Sequence, residues 1–472
     1  MTEWGLRYHA LTMLRRASWV RPPQTYGEPH VTAVPHNPGR DRSRGHSRRQ
    51  VLVTGLAASA LLATNALPSP ATAAAGPARR TSLPKAVLPK AVLPRPTGPF
   101  AVGTVALHLV DRSRTEPWVP GTSAHRELMV SLWYPARPGG AARAVPQMTA
   151  AAAAHFGSAE GAAAMNLRMA PGSVDWGATL THAYRDAPVD RRAGRLPVVL
   201  YSPGLGDPRT WNTALVEDLA SRGYAVVTVD HTHEATEVEF PDGRLATMRI
   251  FDGAPPTDPA AISALLEKVV AVRVADTRFV LDELARLNRT RFGGELDLRR
   301  VGVFGQSAGG FTAAQTMHDD RRFLAGINMD GEMDYVGGRE PDGTHLSSVA
   351  LDGLDRPLLL MGTGSEGSGD YRQQPSWAAF WANTRGWKAD VTLTGSRHAS
   401  YTDAEALLPR LARQGAVPDG GLAAAVGTVP PGRALAANRA YVASFFDRWL
   451  RGRDDQLLDG PSERFPEMVF TR

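Results

Sequence analysis

Short apolar runs alternate with longer segments of helical period along this chain, and that rhythm defines most of its elements. Val102 to Val110 and Glu127 to Tyr134 cluster β-branched and apolar residues between Pro and Gly, which predicts an antiparallel strand pair. Leu196 to Ser202, Tyr224 to Asp230, Val301 to Gly305, Ala325 to Asp330, Pro357 to Gly362 and Ala389 to Thr394 predict further strands. Thr213 to Arg222 and Ala260 to Leu287 predict helices, the second with Ile262, Leu266, Val269, Val270, Val274, Leu281 and Leu284 on one broad face. A last helix, Ala436 to Leu450, lines up Tyr441, Phe445 and Trp449 for core packing. Strands alternating with helices imply a mostly parallel central sheet with helices on both faces.

One junction in this pattern carries chemistry. Val301-Gly302-Val303-Phe304 runs into Gly305-Gln306-Ser307-Ala308-Gly309, and a small-residue helix, Ala308 to Met317, follows. A sharp strand-to-helix turn with a nucleophile at its apex needs small residues two positions either side, where a larger Cβ would collide. The five-residue pattern alone is weak in a chain of 46 glycines, so the flanking strand and helix carry the argument. With the alternating elements, this serine turn predicts an α/β-hydrolase fold.

Acyl transfer from such a serine needs a base to take its proton and an acid to orient the imidazole, and in this fold the chain order is Ser, acid, His. Three histidines follow Ser307. His318 ends the helix after the serine and His345 sits in a polar Gly-Thr stretch, whereas His398 follows a late strand and is assigned as the base. Asp330, at the end of the run Leu324 to Met329, is assigned as the acid, with Glu366 or Asp370 as replacements. The oxyanion needs two backbone N–H donors. Ala308, after the nucleophile, supplies one. The loop Ser202-Pro203-Gly204-Leu205-Gly206 fits the other; proline has no N–H, so Pro203 cannot donate, and Leu205 between two glycines is the stronger candidate.

Four stretches resemble the platelet-activating factor acetylhydrolase group of α/β-hydrolases, of the plasma and isoform II type. They are Leu196 to Gly206, Asp218 to Gly223 leading into Tyr224 to His231, Gly305 to Gly310, and Gly326 to Asp330. The resemblance implies a serine ester hydrolase with Ser307, Asp330 and His398 as its triad and Leu205 and Ala308 as oxyanion donors. It implies no cofactor, and a short-acyl phospholipid as substrate. Pro203 and Gln306 stand where that family commonly has histidine, which bears on pocket shape and substrate preference. General esters, triglycerides and polyesters stay open as alternatives.

Composition changes the picture at the two ends of this argument. The formal charge of +6 lies entirely within residues 1–75, so the remainder is neutral and gives no reason to expect a nucleic-acid partner. That front segment places Ser47-Arg48-Arg49-Gln50 before a weakly apolar run, Val51 to Leu67, and Ala71-Thr72-Ala73. It reads as a cleaved twin-arginine export signal, too short and polar for a membrane span. The 47 residues before the arginine pair imply either a true start near Val31 or Val34 or an unusually long leader. Residues 76–99, rich in Pro, Ala and Lys, read as a linker, and 100–472 as the catalytic domain. With no cysteine there is no thiolate nucleophile, disulfide or cysteine-bound metal. His231-Thr232-His233 lacks a second ligand cluster for a metal site. The alanine-rich segment 141–188, with Met148, Phe156, Met165, Leu167, Met169, Trp176 and Leu180, is expected to form one or two helices over the pocket mouth, an apolar cap suited to acyl chains or a lipid surface. A packed insertion without lipid contact is the other reading. A second insertion, 404–433, is expected at the same mouth.

Overall fold

The apolar runs become strands whose two faces are both buried. In the computed structural model, which describes residues 88–139, 143–165, 167, 169–251, 253, 255–335, 345–364 and 367–471, the expected export signal and the first part of the linker lie outside the described residues. The strands are β1 Ala101–Thr115, β2 His125–Ala136, β3 Ala144–Pro146, β4 Leu180–Arg185, β5 Leu196–Ser202, β6 Ala225–Asp230, β7 Glu237–Glu239, β8 Leu245–Thr247, β9 Leu296–Gln306, β10 Phe323–Met329, β11 Leu358–Thr363, β12 Lys388–Leu393 and β13 Met468–Phe470. The helices are α1 Ala150–Phe156, α2 Ala159–Ala164, α3 Thr213–Ser221, α4 Pro259–Thr290, α5 Ala308–Asp319, α6 Ser348–Asp352, α7 Pro375–Asn383, α8 Asp403–Arg413, α9 Gly421–Val426 and α10 Pro431–Arg451.

Apart from the small β7-β8 hairpin, the strands form one 11-stranded sheet ordered β13-β12-β11-β10-β9-β5-β6-β2-β1-β4-β3. From β12 to β6 every pairing is parallel, and antiparallel neighbours, β13 and β2, flank that block. Side chains alternate across the sheet, as a period of two requires. Val198 and Leu200 pack with α4 and α5 on one face, while Val199 and Tyr201 pack with α3 and α10 on the other. Fully burying one such side chain contributes about 1.5–3 kcal/mol, against roughly 0–1 for a surface ion pair, so these two layers hold the fold.

Two expectations need correction. Residues 88–99 already pack against the domain expected to begin near Phe100. Ala91 and Leu93 are buried, Thr97 donates through N–H and hydroxyl to Asp218, and Arg439 donates to the carbonyls of Pro94 and Arg95. Ala91 and Leu93 therefore behave as core, while Leu88 and Val92 stay exposed, although the proline-rich surroundings read as linker. The 141–188 insertion is not wholly helical either: besides α1 and α2 it adds β3 and β4 to the sheet edge. Met148, Phe156, Leu167, Met169 and Trp176 turn inward against Trp211 and against Leu407, Leu408 and Leu411 of the second insertion. Among its described residues, Leu180 is the exposed large hydrophobic, so the geometry favours a packed insertion over a lipid-facing one.

Candidate active site

Strand β9 delivers Ser307 to a turn that few residues tolerate. Its φ of 57° and ψ of −125° lie outside the ordinary regions for a residue with a Cβ, and its N–H is tied to the Met329 carbonyl at 2.8 Å. The surrounding backbone is pressed together. A Cβ on Gly305 would come within 2.3 Å of Gly309, and one on Gly309 within 1.9 Å of the Ser202 carbonyl oxygen. Ser307 thus stands at the C-terminal ends of β9 and β5, where the sheet order reverses to either side of β5, the usual ligand crevice of such sheets.

Asp330 follows β10, with φ of 57°, and is buried. Its carboxylate accepts the Ser368 N–H at 2.8 Å and the Thr363 hydroxyl at 3.1 Å, and Oδ2 lies 2.5 Å from Nδ1 of His398. With Nδ1 engaged, Nε2 is the nitrogen of His398 that can take a proton. The His398 side chain is 46% exposed and opens the short turn His398–Tyr401 after β12. Two contacts fasten these segments around the serine. Gln306 Nε2 donates to the His398 carbonyl at 3.2 Å, and a Cβ on Gly331 would meet the Ser307 carbonyl oxygen at 2.3 Å.

The other sequence candidates lie elsewhere. His318 pairs with Asp319 and Asp352, and His345 with Ser263. Asp370 accepts from Arg372 and Gln373, and Glu366 falls outside the described residues. His233 meets the Thr247 carbonyl, while His231 faces Ser202 and Asp276. Among the described residues no group of three or more His, Cys, Asp or Glu is placed to hold a metal ion, and no helix is long and apolar enough to cross a membrane.

The 202–206 loop lies over the first turn of α5, because a Cβ on Gly309 would come within 2.6 Å of the Pro203 carbonyl oxygen as well. That places the backbone around Leu205 beside the helix that Ala308 opens. Beneath the loop, Ser202 Oγ lies 2.9 Å from His231 Nε2, and His231 Nδ1 lies 2.9 Å from Asp276. These contacts repeat the Ser-His-Asp order, but all three side chains are buried, so this relay has no access to substrate. Burial, followed by the nearby Arg273 charge, pulls the His231 pKa down to about 4, so its imidazole is neutral.

Three contributors escaped the sequence reading. Asp207, one residue past the loop, has its carboxyl pushed up to about 7, chiefly by burial, and a Cβ on Gly204 would touch both its Oδ2 and the Gln306 Oε1. For His398, partial desolvation of the ring works to lower the pKa but is outweighed by the hydrogen bond and charge of Asp330 and the charge of Asp207, so the net direction is upward. Asp403 accepts the Thr213 and Ala214 N–H groups and Gln147 Nε2, pinning the segment after His398 to the start of α3 and to the first insertion. The third is Arg273, for which the sequence did carry a signal, a charge inside the apolar stripe of α4 between Val270 and Val274.

Two cavities lie apart from Ser307. One, of about 310 Å³, is lined by Arg185, Arg209, Asp230 and Glu237. The other, of about 550 Å³, sits at the opposite end of the sheet with six arginines. Four of these pair with Asp190, Asp218, Asp297 and Asp447, which leaves little surplus charge.

Comparison with known proteins adds to this geometry. Residues 85–240 match the family described as platelet-activating factor acetylhydrolase, isoform II, a span that includes the 202–206 loop and stops short of Ser307. A probable 1-alkyl-2-acetylglycerophosphocholine esterase of Arthroderma benhamiae is 29% identical over 58% of this chain and 66% of its own length. Platelet-activating factor acetylhydrolase of Cavia porcellus is 26% identical over 30% of this chain and 36% of its own length. That of Gallus gallus is 23% identical over 44% and 53%. The chain thus spans from about a third to about two thirds of the length of these curated relatives. Among solved structures, a ferulic acid esterase from Streptomyces cinnamoneus superposes with a TM-score of 0.63 and 36% identity, over 81% of this chain and 99% of that one. The likeness extends across the sheet and its helices, and the fold is that of an α/β-hydrolase.

Proposed function

The chain belongs to the platelet-activating factor acetylhydrolase, isoform II, group of ester hydrolases, and we propose that it cleaves short-acyl carboxylic esters through an acyl-enzyme on Ser307. The observation that carries this reading is the 2.5 Å contact between Asp330 and His398, held beside the Ser307 turn. In the proposed reaction Ser307 Oγ bonds to the acyl carbon while His398 Nε2 takes its proton. Asp330 stabilises the imidazolium, and the Leu205 and Ala308 N–H groups hold the oxyanion. Collapse breaks the bond to the leaving alcohol, which takes the proton from His398. Water, activated the same way, then releases the acid and restores Ser307.

The names of the curated relatives favour an acetyl ester of a glycerophospholipid. The ferulic acid esterase neighbour favours a second reading, an aromatic acyl ester, because its similarity covers nearly all of that chain. Export through the Arg48-Arg49 signal belongs to the same proposal.

Hydrolysis rates on p-nitrophenyl esters of increasing acyl length, a 2-acetyl phospholipid and methyl ferulate would separate the substrate classes. Organophosphate labelling that persists in Ser307→Ala, or an absence of activity on every ester, would overturn the proposal.

A further inference from the structure

Arg273 is a charged residue 1% exposed, on the inner face of α4, and it spends its donors on the backbone of the 202–206 loop. Nη1 donates to the Pro203 carbonyl at 2.5 Å and Nη2 to the Gly204 carbonyl at 3.0 Å, while Nε donates to buried Glu234. Nη1 also approaches Ser202 Oγ at 3.4 Å, the hydroxyl held by the neutral His231. The peptide unit is planar and trans, so its N–H points opposite to its C=O. Fixing the Gly204 carbonyl on Nη2 therefore turns the Leu205 N–H away from the guanidinium. Fixing the Pro203 carbonyl on Nη1 does the same for the Gly204 N–H. A planar fork can grip two successive carbonyls at a set spacing, which an ammonium cannot.

We propose that Arg273, anchored by Glu234, is a positioning residue that presets the oxyanion loop by holding the Pro203 and Gly204 carbonyls from behind. It does not reach substrate. The inference rests on the reading that Leu205 supplies an oxyanion donor, and its effect belongs in the transition state, where charge collects on that oxygen, rather than in substrate binding.

Truncating Arg273 alone would strand the Glu234 charge in the interior, so the test uses the neutral, similarly sized pair Arg273→Met with Glu234→Gln. On p-nitrophenyl acetate the expected result is a fall in kcat of about 10²-fold, the scale of one lost oxyanion donor, with KM changed less than about threefold. Affinity for a trifluoromethyl ketone, which mimics the tetrahedral state, should fall by a similar factor. Amide hydrogen exchange at Gly204 and Leu205 should quicken while α5 keeps its protection, a readout that holds whether or not the chosen ester is cleaved.

The proposal is overturned if kcat stays within about threefold of the parent, if activity falls only in step with the folded fraction, or if exchange in the loop is unchanged. Should the double variant be too unstable to assay, Arg273→Lys decides the matter. It keeps the charge beside Glu234 but cannot hold both carbonyls, so unchanged kcat and unchanged loop exchange in that variant reject the idea. A parent protein inactive on all esters would instead reject the esterase reading, and the exchange result would still stand on its own.

Discussion

Asp330 Oδ2 lies 2.5 Å from His398 Nδ1 across 68 residues of chain. Asp330 leaves β10 and His398 follows β12, so β11 lies between their strands in the sheet. The Asp330 N–H is fixed to the Met361 carbonyl of that intervening strand at 2.8 Å, while Thr363 and Ser368 fix its carboxylate. A carboxylate held at so many points sets the tautomer of the histidine it meets, and in the proposed reaction it stabilises that ring's protonated form.

Substitution at this pair should therefore separate chemistry from folding. Ser307→Ala is expected to abolish ester hydrolysis, and Asp330→Asn to lower kcat by about 10³ to 10⁴-fold through loss of the imidazole's orientation. Circular dichroism of both variants should match the parent. Asp330→Asn retaining most of its activity would mean that another carboxylate serves His398.

The pH profile should carry the mark of two acidic neighbours. In the proposed reaction His398 is a base only when neutral, and although desolvation works to lower its pKa, Asp330 and Asp207 together outweigh this and raise it above the ordinary 6.5. Activity should accordingly rise with pH, and the acid limb of kcat/KM should lie above that value. Asp207→Asn removes the fractional negative charge that a carboxyl raised to about 7 carries near neutral pH, which destabilises the imidazolium and moves the limb to lower pH. A limb that stays in place in that variant would show that Asp207 does not act on His398.

The tight turn at Ser307 predicts intolerance at Gly309. A methyl there would come within 1.9 Å of the Ser202 carbonyl, which belongs to rigid strand backbone rather than a movable side chain. Gly309→Ala should cost about 1–3 kcal/mol or more in stability and displace the oxyanion loop from α5. Urea unfolding and p-nitrophenyl acetate turnover would both register it, and a fully active, fully stable variant would contradict the packing.

A chain that begins at Phe100 should be less stable than one that begins at Leu88. Deleting 88–99 exposes the sites that Ala91 and Leu93 fill and leaves Arg439 without the Pro94 and Arg95 carbonyls. Burying a side chain the size of leucine contributes about 1.5–3 kcal/mol, and the lost hydrogen bonds add to that. A lowered Tm for the shorter chain is the expected outcome. Equal Tm values would restore these residues to the linker.

The central strands and long helices were legible in the sequence because they are fixed by local pattern. Leu196 to Ser202 needed only its apolar run, and α4 only its helical period, though the observed helix extends a little further at each end, Pro259–Thr290. The turn at Ser307 was legible because it demands glycines at fixed offsets, and chain order in this fold narrowed its proposed partners to Asp330 and His398, which the structure brings within 2.5 Å of each other. β3, β7, β8 and β13 were missed because strands of three residues carry too few positions for an alternation to register, and β4 was missed because it lies in the segment read as a helical cap. Proline around Ala91 and Leu93 masked two core residues, since composition reports the average of a segment and not which of its members is buried.

By itself, then, the sequence determined the sheet-and-helix rhythm, the serine turn, and the few acids and histidines eligible to serve it, because those depend on neighbours along the chain. Only the tertiary structure decided that the apolar insertion faces inward, that Gln306 fastens the carbonyl of His398, and that Arg273 grips the loop holding Leu205. Those contacts join segments tens of residues apart, and hydrogen-bond geometry exists only once the sheet has brought its C-terminal ends together.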